Sequence, residues 1–254
     1  EGCRLTDADV RIYRHSDMSS LESELNAAPP GAHKLVVTDG VFSMKGTVCD
    51  LPAIRKLADT YGAQVMVDDA HGTGAIGKTG RGTLEYFGME GSVEFVCGTF
   101  SKSLGTIGGF TASTRDVVSF LKLRARPFIF SASPPPSSMA TVLACLDVIE
   151  EEPELLEKLR RNTEFLREGL REAGFRLERT VTPIIPILIG DEEKTFLMAG
   201  GLEEAGVIVN PVVSPAVPKD GSLIRISMMA SLGSEELEKA LAGFIEVGRR
   251  LGII

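Results

Sequence analysis

Cysteine is scarce in this 254-residue chain, and its four copies are scattered: Cys3, Cys49, Cys97 and Cys145. No two are spaced as CxxC and no histidine cluster stands beside them. No metal site is therefore expected, and free, partly buried thiols in a reducing cytoplasm are the simplest reading. Positive charge is also in short supply. Lys and Arg total 27 against 35 Asp and Glu, a net charge of −8. That argues against a broad grip on nucleic-acid phosphates and for a role in solubility. Long apolar runs are missing, so no membrane span is expected. The opening EGCRLTDADV has neither a basic nor an apolar leader segment, and nothing in it points to secretion. It starts with Glu1 rather than methionine, a hint of truncation.

What is present is an ordinary globular composition. Hydrophobic residues make up 43% and charged residues 24%, enough for one large domain or one and a half smaller ones. HKLVVTDG, AQVMVDDAHG, VEFVCGT and GGFTAS read as strands. Among them, LPAIRKLADTYG puts Leu51, Ile54, Leu57, Ala58 and Tyr61 on one helical face, with Gly62 as the C-cap. Buried strands separated by helices predict an α/β fold, a mostly parallel sheet with helices on both faces.

Pro134, Pro135 and Pro136 can lead into a helix but not lie inside one, which predicts a connecting helix over residues 137–150. Pro153 opens another, striped by Leu156, Leu159, Leu166 and Leu170 and ended by Gly174. Beyond it, PIIPILIG and LIRISMM read as strands and residues 196–205 as a short helix. A last helix starts at Ser234, with Glu235 and Glu236 in its first turn and Arg249 and Arg250 in its last, matching the helix dipole. The organisation expected is a large domain over 1–150 and a smaller C-terminal α+β domain over 151–254.

Unusual residues gather at the carboxyl ends of the strands, where such sheets bind ligands. In AQVMVDDAHGTG an apolar strand ends in two carboxylates, with His71 two residues past the second. Side chains alternate along a strand, so Asp68 and Asp69 point to opposite faces. One can face a ligand while the other bonds locally near the turn. Taken alone, a strand-end aspartate is more often a cap, and a single histidine more often structural.

EFVCGTFSKSLGTIGG says more. A strand runs into Gly98, Thr99, Phe100, Ser101, Lys102 and Ser103, flanked by Gly105, Gly108 and Gly109. Glycines let backbone amides approach an anion, and hydroxyls add donors, so a phosphate site is physically sensible. The nucleotide-binding loop GxxxxGK[ST] is absent. An isolated Ser-Lys pair would be a solvated surface lysine, but a lysine in this setting can form a Schiff base with a carbonyl. One cofactor, pyridoxal 5'-phosphate (PLP), explains the set together. The aspartate would pair with its ring nitrogen, the lysine would hold its aldehyde as an imine, and the hydroxyls would hold its phosphate.

VTDGVFSMKG, VMVDDAHGTGAIGKTGRG, GTFSKSLGTIGGF and RPFIFSAS occur in the order and at the spacing found in α-oxoamine synthases. NPVVSPAVPKDGSLIRISMMAS resembles the C-terminal segment of the same enzymes. The chain resembles this family over essentially its whole length. The resemblance implies a fold-type-I PLP transferase of the aminotransferase class I/II type. It also implies a decarboxylating condensation of a small amino acid (serine, glycine or alanine) with an acyl-CoA or acyl-carrier thioester, giving an aminoketone.

The same resemblance assigns roles. Lys102 forms the imine, and Asp68 pairs with the pyridine nitrogen. His71 lies near the phenolic oxygen of the cofactor and the incoming acyl carbonyl, and Ser43, in GVFSM, lies near the same oxygen. Thr99 and Ser101 bind the phosphate. Ser131, in FSAS, reaches the phosphate of the neighbouring subunit in a homodimer with shared active sites. Arg225 binds the amino-acid carboxylate, a bidentate task that lysine does poorly. From the residues alone, Ser43 could end a strand turn, Ser131 could be a loop hydroxyl and Arg225 an edge-strand charge. His15 and His33 match no catalytic motif and are expected to be solvated.

Two departures stand out. Family members carry a region before the point where this chain starts, and EGCRLTDADVRIYRHSDMSSLESEL resembles the middle of a member, so that N-terminal region is expected to be missing. Leu232 stands where many members have a histidine. Two other readings accommodate parts of the pattern: another fold-type-I PLP enzyme such as an aminotransferase, which needs no acyl-CoA, and a non-catalytic scaffold subunit, which has no use for an imine lysine.

Overall fold

The computed structural model describes residues 2–254. A 3-10 turn at Gly2–Leu5 precedes helix α1 (Met18–Asn26), strand β1 (Lys34–Asp39), helix α2 (Leu51–Tyr61) and strand β2 (Ala63–Asp68). Helix α3 (Thr83–Phe87), β3 (Phe95–Thr99) and β4 (Gly109–Ala112) follow. These strands form one sheet in the order β1-β2-β3-β4, the first three parallel and β4 antiparallel to β3.

Alternation in KLVVTD and AQVMVD puts Val36, Thr38, Val65 and Val67 on one buried face, as a period of two requires. Against that face packs α2. Asp50 caps it by accepting from Ala53 N at 3.1 Å, and Leu51, Ile54 and Ala58 are its buried stripe. Gly62, at φ 62°, closes it in the left-handed conformation, which a Cβ would disfavour. Leu21 and Leu25 of α1 and Leu84 of α3 complete this core. Each large apolar side chain buried there contributes roughly 1.5–3 kcal/mol before chain entropy is set against it. On the opposite face of β1, Leu35 and Val37 are 50% and 39% exposed.

Short helices α4 (Arg115–Arg124) and α5 (Arg126–Ile129) lead to α6 (Pro136–Glu151) and α7 (Pro153–Glu172). Both long helices begin at the prolines that the sequence analysis marks as openers, since a first-turn proline sacrifices no hydrogen bond. Then come β5 (Ile184–Gly190), α8 (Glu192–Glu204), β6 (Asn210–Val212), β7 (Ser222–Ser227) and α9 (Ser234–Arg250). The second sheet is antiparallel, in the order β5-β7-β6. Leu166 and Leu170 of α7, Ile187 of β5, Ile224 of β7 and Phe244 of α9 belong to its core.

The sequence pattern predicts α8 from Phe196; the structure starts it at Glu192, because Asp191 accepts from Lys194 N at 2.7 Å and caps an earlier turn. Helix α9 is capped through Glu236, whose side chain accepts from Gly233 N at 2.6 Å. A third, small cluster of Val41, Ile76 and Ile184 joins the loops after β1 and β2 to β5.

Candidate active site

The carboxyl ends of β1 and β2 bring two aspartates side by side: Asp39 is in register with Asp68, which in turn pairs with Cys97 of β3. The adjacent carboxylates Asp68 and Asp69 have different surroundings. Asp69 is 1% exposed, with Oδ2 accepting from Thr83 N at 2.8 Å and Oδ1 from Thr83 Oγ1 at 2.5 Å. Burial raises its proton affinity, and the bonds from Thr83 oppose that. Asp68 is only partly buried, and its Oδ1 accepts from Ala70 N at 3.0 Å. Asp69 thus fastens the start of α3, while Asp68 stays partly exposed and acts electrostatically on Lys102.

After β3 the chain folds into a hydroxyl- and glycine-rich loop. Thr99 Oγ1 donates to Gly108 O at 3.1 Å and lies 2.8 Å from Ser101 Oγ. Ser101 N donates back to Thr99 Oγ1 at 3.2 Å. Ser103 Oγ donates to Thr73 O at 2.7 Å, tying the loop of Lys102 to the loop of His71. Lys102 sits between opposing influences. Burial lowers its pKa most and Arg225 adds to that, while Asp68 and then Asp39 pull it upward. His71 is pushed down to about 4 by burial, then by Lys102 and Arg225, with Asp68 acting against them. The imidazole is therefore neutral at physiological pH, a hydrogen-bonding group rather than a third cation.

Arg225 comes from the second sheet. Its strand, β7, lies between β5 and β6, so it is a central-strand residue and not an edge charge. Nε donates to Ser43 O at 2.6 Å, and Nη1 donates to Ser227 Oγ. Nη2 has no hydrogen-bond partner among the described residues. Burial lowers the pKa of Arg225, from a starting point high enough that the guanidinium stays charged. Ser43 is half-buried and enters these contacts through its carbonyl.

The structure therefore gathers Asp68, His71, Lys102, Arg225 and Ser43, with Thr99 and Ser101 on the Lys102 loop. Ser131 is apart: it is exposed after α5 and makes no hydrogen bond among the described residues. Asp39 was missed in the sequence, although VTDG carries the same signal as VMVDD, a carboxylate ending an apolar strand. His15 is solvent-accessible as expected, with a local contact besides. Its ring stands edge-on to Phe42 at 4.4 Å and Nε2 lies 3.3 Å from Thr47 Oγ1. Leu232 packs against the second core, and its carbonyl accepts from Asn162 Nδ2 at 3.0 Å. Among the described residues no cluster of His, Cys, Asp and Glu could hold a metal, and no helix is long and apolar enough to cross a membrane.

Parallel strands that end in carboxylates, followed by a lysine-bearing loop, define an α/β protein of fold type I. The model of the aminotransferase class I and II family matches residues 1–244. The chain belongs to that family, and its relatives include serine palmitoyltransferases and 8-amino-7-oxononanoate synthases. It is 45% identical over 253 residues to the serine palmitoyltransferase of Sphingobacterium spiritivorum, covering 100% of this chain and 63% of that protein. It is 43% identical over 254 residues to the 8-amino-7-oxononanoate synthase of Exiguobacterium sibiricum, covering 100% and 65%. A high-resolution structure of serine palmitoyltransferase with a PLP internal aldimine matches with a TM-score of 0.96 at 37% identity, covering 100% of this chain and 64% of that one. The chain thus spans slightly less than two thirds of the length of these relatives.

Proposed function

We propose that the protein carrying this chain is a PLP-dependent acyltransferase that condenses a small amino acid with an acyl-CoA thioester, releasing carbon dioxide and an aminoketone. The observation that carries this reading is the meeting of three parts: Asp68 at the end of β2, the Lys102 loop that Ser103 ties to the loop of His71, and Arg225 anchored on Ser43 O. The donor set fits PLP. Asp68 offers a carboxylate for a ring N–H, Lys102 an amine for an aldehyde, and Thr99 and Ser101 hydroxyls for a phosphate beside Gly108. When bound, PLP supplies an electron sink for the charge left on the α-carbon of the amino acid.

The residues of the chain do the rest. Asp68 would offer a negative charge to the ring nitrogen; two unit charges about 4 Å apart interact by roughly 4 kcal/mol at an effective dielectric near 20, an upper guide. Lys102, its proton affinity lowered chiefly by burial, is suited first to hold the cofactor and then, once displaced, to take the α-proton. Arg225 offers Nη2 to the carboxylate of the substrate while Nε and Nη1 keep the guanidinium fixed. His71, neutral, can donate to the phenolic oxygen or the thioester carbonyl without adding to the positive charge of Lys102 and Arg225. Ser43 would approach the same phenolic oxygen.

Serine and a long-chain acyl-CoA are the substrates we favour, supported by likeness to serine palmitoyltransferases. The two separate cores support a large domain over 1–150 and a smaller one over 151–254. Ser131 follows Phe128, Ile129 and Phe130, all exposed, which supports a homodimer in which this segment meets the second subunit. Four unpaired cysteines support a reducing, cytoplasmic setting.

The experiment is a thiol-release assay on the full-length protein, with serine, glycine or alanine and acyl-CoA. Release should depend on both substrates. Lys102→Ala should abolish the visible band of the lysine imine with PLP, and Asp68→Asn should cost orders of magnitude in rate. Amino-group transfer without thiol release would instead identify an aminotransferase, and a protein with no PLP band would be a scaffold.

A further inference from the structure

The loop after β1 is held by the C-terminal half of the chain at two points. Arg225 Nε reaches Ser43 O at 2.6 Å. Three residues further on, Gly46 O accepts from Thr182 Oγ1 at 2.7 Å and also from Thr180 Oγ1. The chain bends at Thr182 and Pro183 before β5, both hydroxyls reach the same carbonyl, and a carbonyl oxygen has two lone pairs with which to accept them. The two hydroxyls are themselves 3.0 Å apart, and Thr182 N donates to Thr180 Oγ1 at 3.1 Å. Thr182 is wholly buried, at 0% exposure. Gly46 allows the contact. Its φ is +65°, and a Cβ there would stand 2.8 Å from Ile184 O, so the carbonyl comes close only because no side chain intervenes.

We propose that Thr182, with Thr180, is a positioning residue: by seating Gly46 it sets where the Ser43 carbonyl stands, and so how Arg225 presents Nη2 to the carboxylate of the substrate. This rests on the reading of Arg225 as the carboxylate ligand. A guanidinium is a planar fork, so fixing the direction of Nε–H fixes that of Nη2. Ser43 O supplies that fix, and it belongs to a loop whose other anchor is the threonine pair. Displacements of about 1 Å at such a group can cost about a hundredfold in rate, which gives the second anchor a function beyond stability.

The test uses the full-length holoenzyme. Thr182→Val removes the hydroxyl at nearly constant shape, Thr182→Ser keeps it, and Thr180→Val is a milder variant at a half-buried site. Thr182→Val should raise KM for the amino acid about tenfold, the loss of roughly one net hydrogen bond, with KM for acyl-CoA nearly unchanged. Thr182→Ser should restore it. Amide hydrogen exchange over residues 43–47 should quicken in both valine variants. Unchanged amino-acid KM overturns the proposal, and so does a uniform fall of every parameter together with the melting temperature, which would mark a purely structural role. If the wild type releases no thiol, the functional reading fails instead. The latch is then judged by exchange alone, and unchanged exchange at 43–47 overturns it.

Discussion

Asp39 and Asp68 stand in register at the ends of adjoining parallel strands, and both carboxylates raise the proton affinity of Lys102. Burial and Asp68 push Asp39 up, while Lys102 pulls it down. Removing either charge should therefore lower the pKa of Lys102, with Asp68→Asn having the larger effect and Asp39→Asn the smaller. Carbon-13 NMR of reductively methylated lysines in the PLP-free protein, titrated with pH, reads this directly. A Lys102 midpoint that ignores both variants would mean the cluster is not one electrostatic unit.

His71 should titrate near its depressed pKa of about 4 rather than at the ordinary 6.5. The native state then binds fewer protons than the unfolded state between those values. The contribution of this residue to stability is complete above 6.5 and is lost as pH falls through about 4. Urea unfolding at pH 7 and at pH 4 should show that loss in the wild type and a smaller one in His71→Asn. Equal losses would place the acid sensitivity elsewhere.

Asp69→Ala leaves the buried N–H and hydroxyl of Thr83 without partners. It should destabilise the fold by about 3 kcal/mol. Asp69→Asn keeps an acceptor and carries no charge to bury, so it should cost less. Denaturant midpoints of the two variants decide the order.

Two glycines should respond in opposite directions. A Cβ at Gly109 would stand 2.6 Å from Gly98 O across the β3–β4 pair, and Gly109→Ala should cost about 2 kcal/mol through overpacking. At Gly200, inside α8, nothing lies within 4 Å, and Gly200→Ala should stabilise by about 0.8 kcal/mol, the difference in helix propensity. Thermal melts of both variants provide the check.

Legibility followed the range of the interactions. Helix α2 was readable because its apolar stripe and its stop at Gly62 lie within one short stretch of chain. Helix α4, none of whose residues is buried, was not. Strand β6, three residues long, is too short for a period to show. Lys102 and Asp68 could be singled out from their immediate neighbours, a hydroxyl-rich loop and a strand end.

The sequence by itself determined the strand–helix alternation, the prolines that open α6 and α7, and the local chemistry around Lys102, because each depends on preferences expressed within a few residues. Only the tertiary structure decided that Asp39 joins Asp68, that β7 is a central strand, and that Arg225 meets Ser43 182 positions away. Those relationships depend on strand register and on the packing of two cores, which are set by many distant contacts at once and leave no signature in any single stretch of chain.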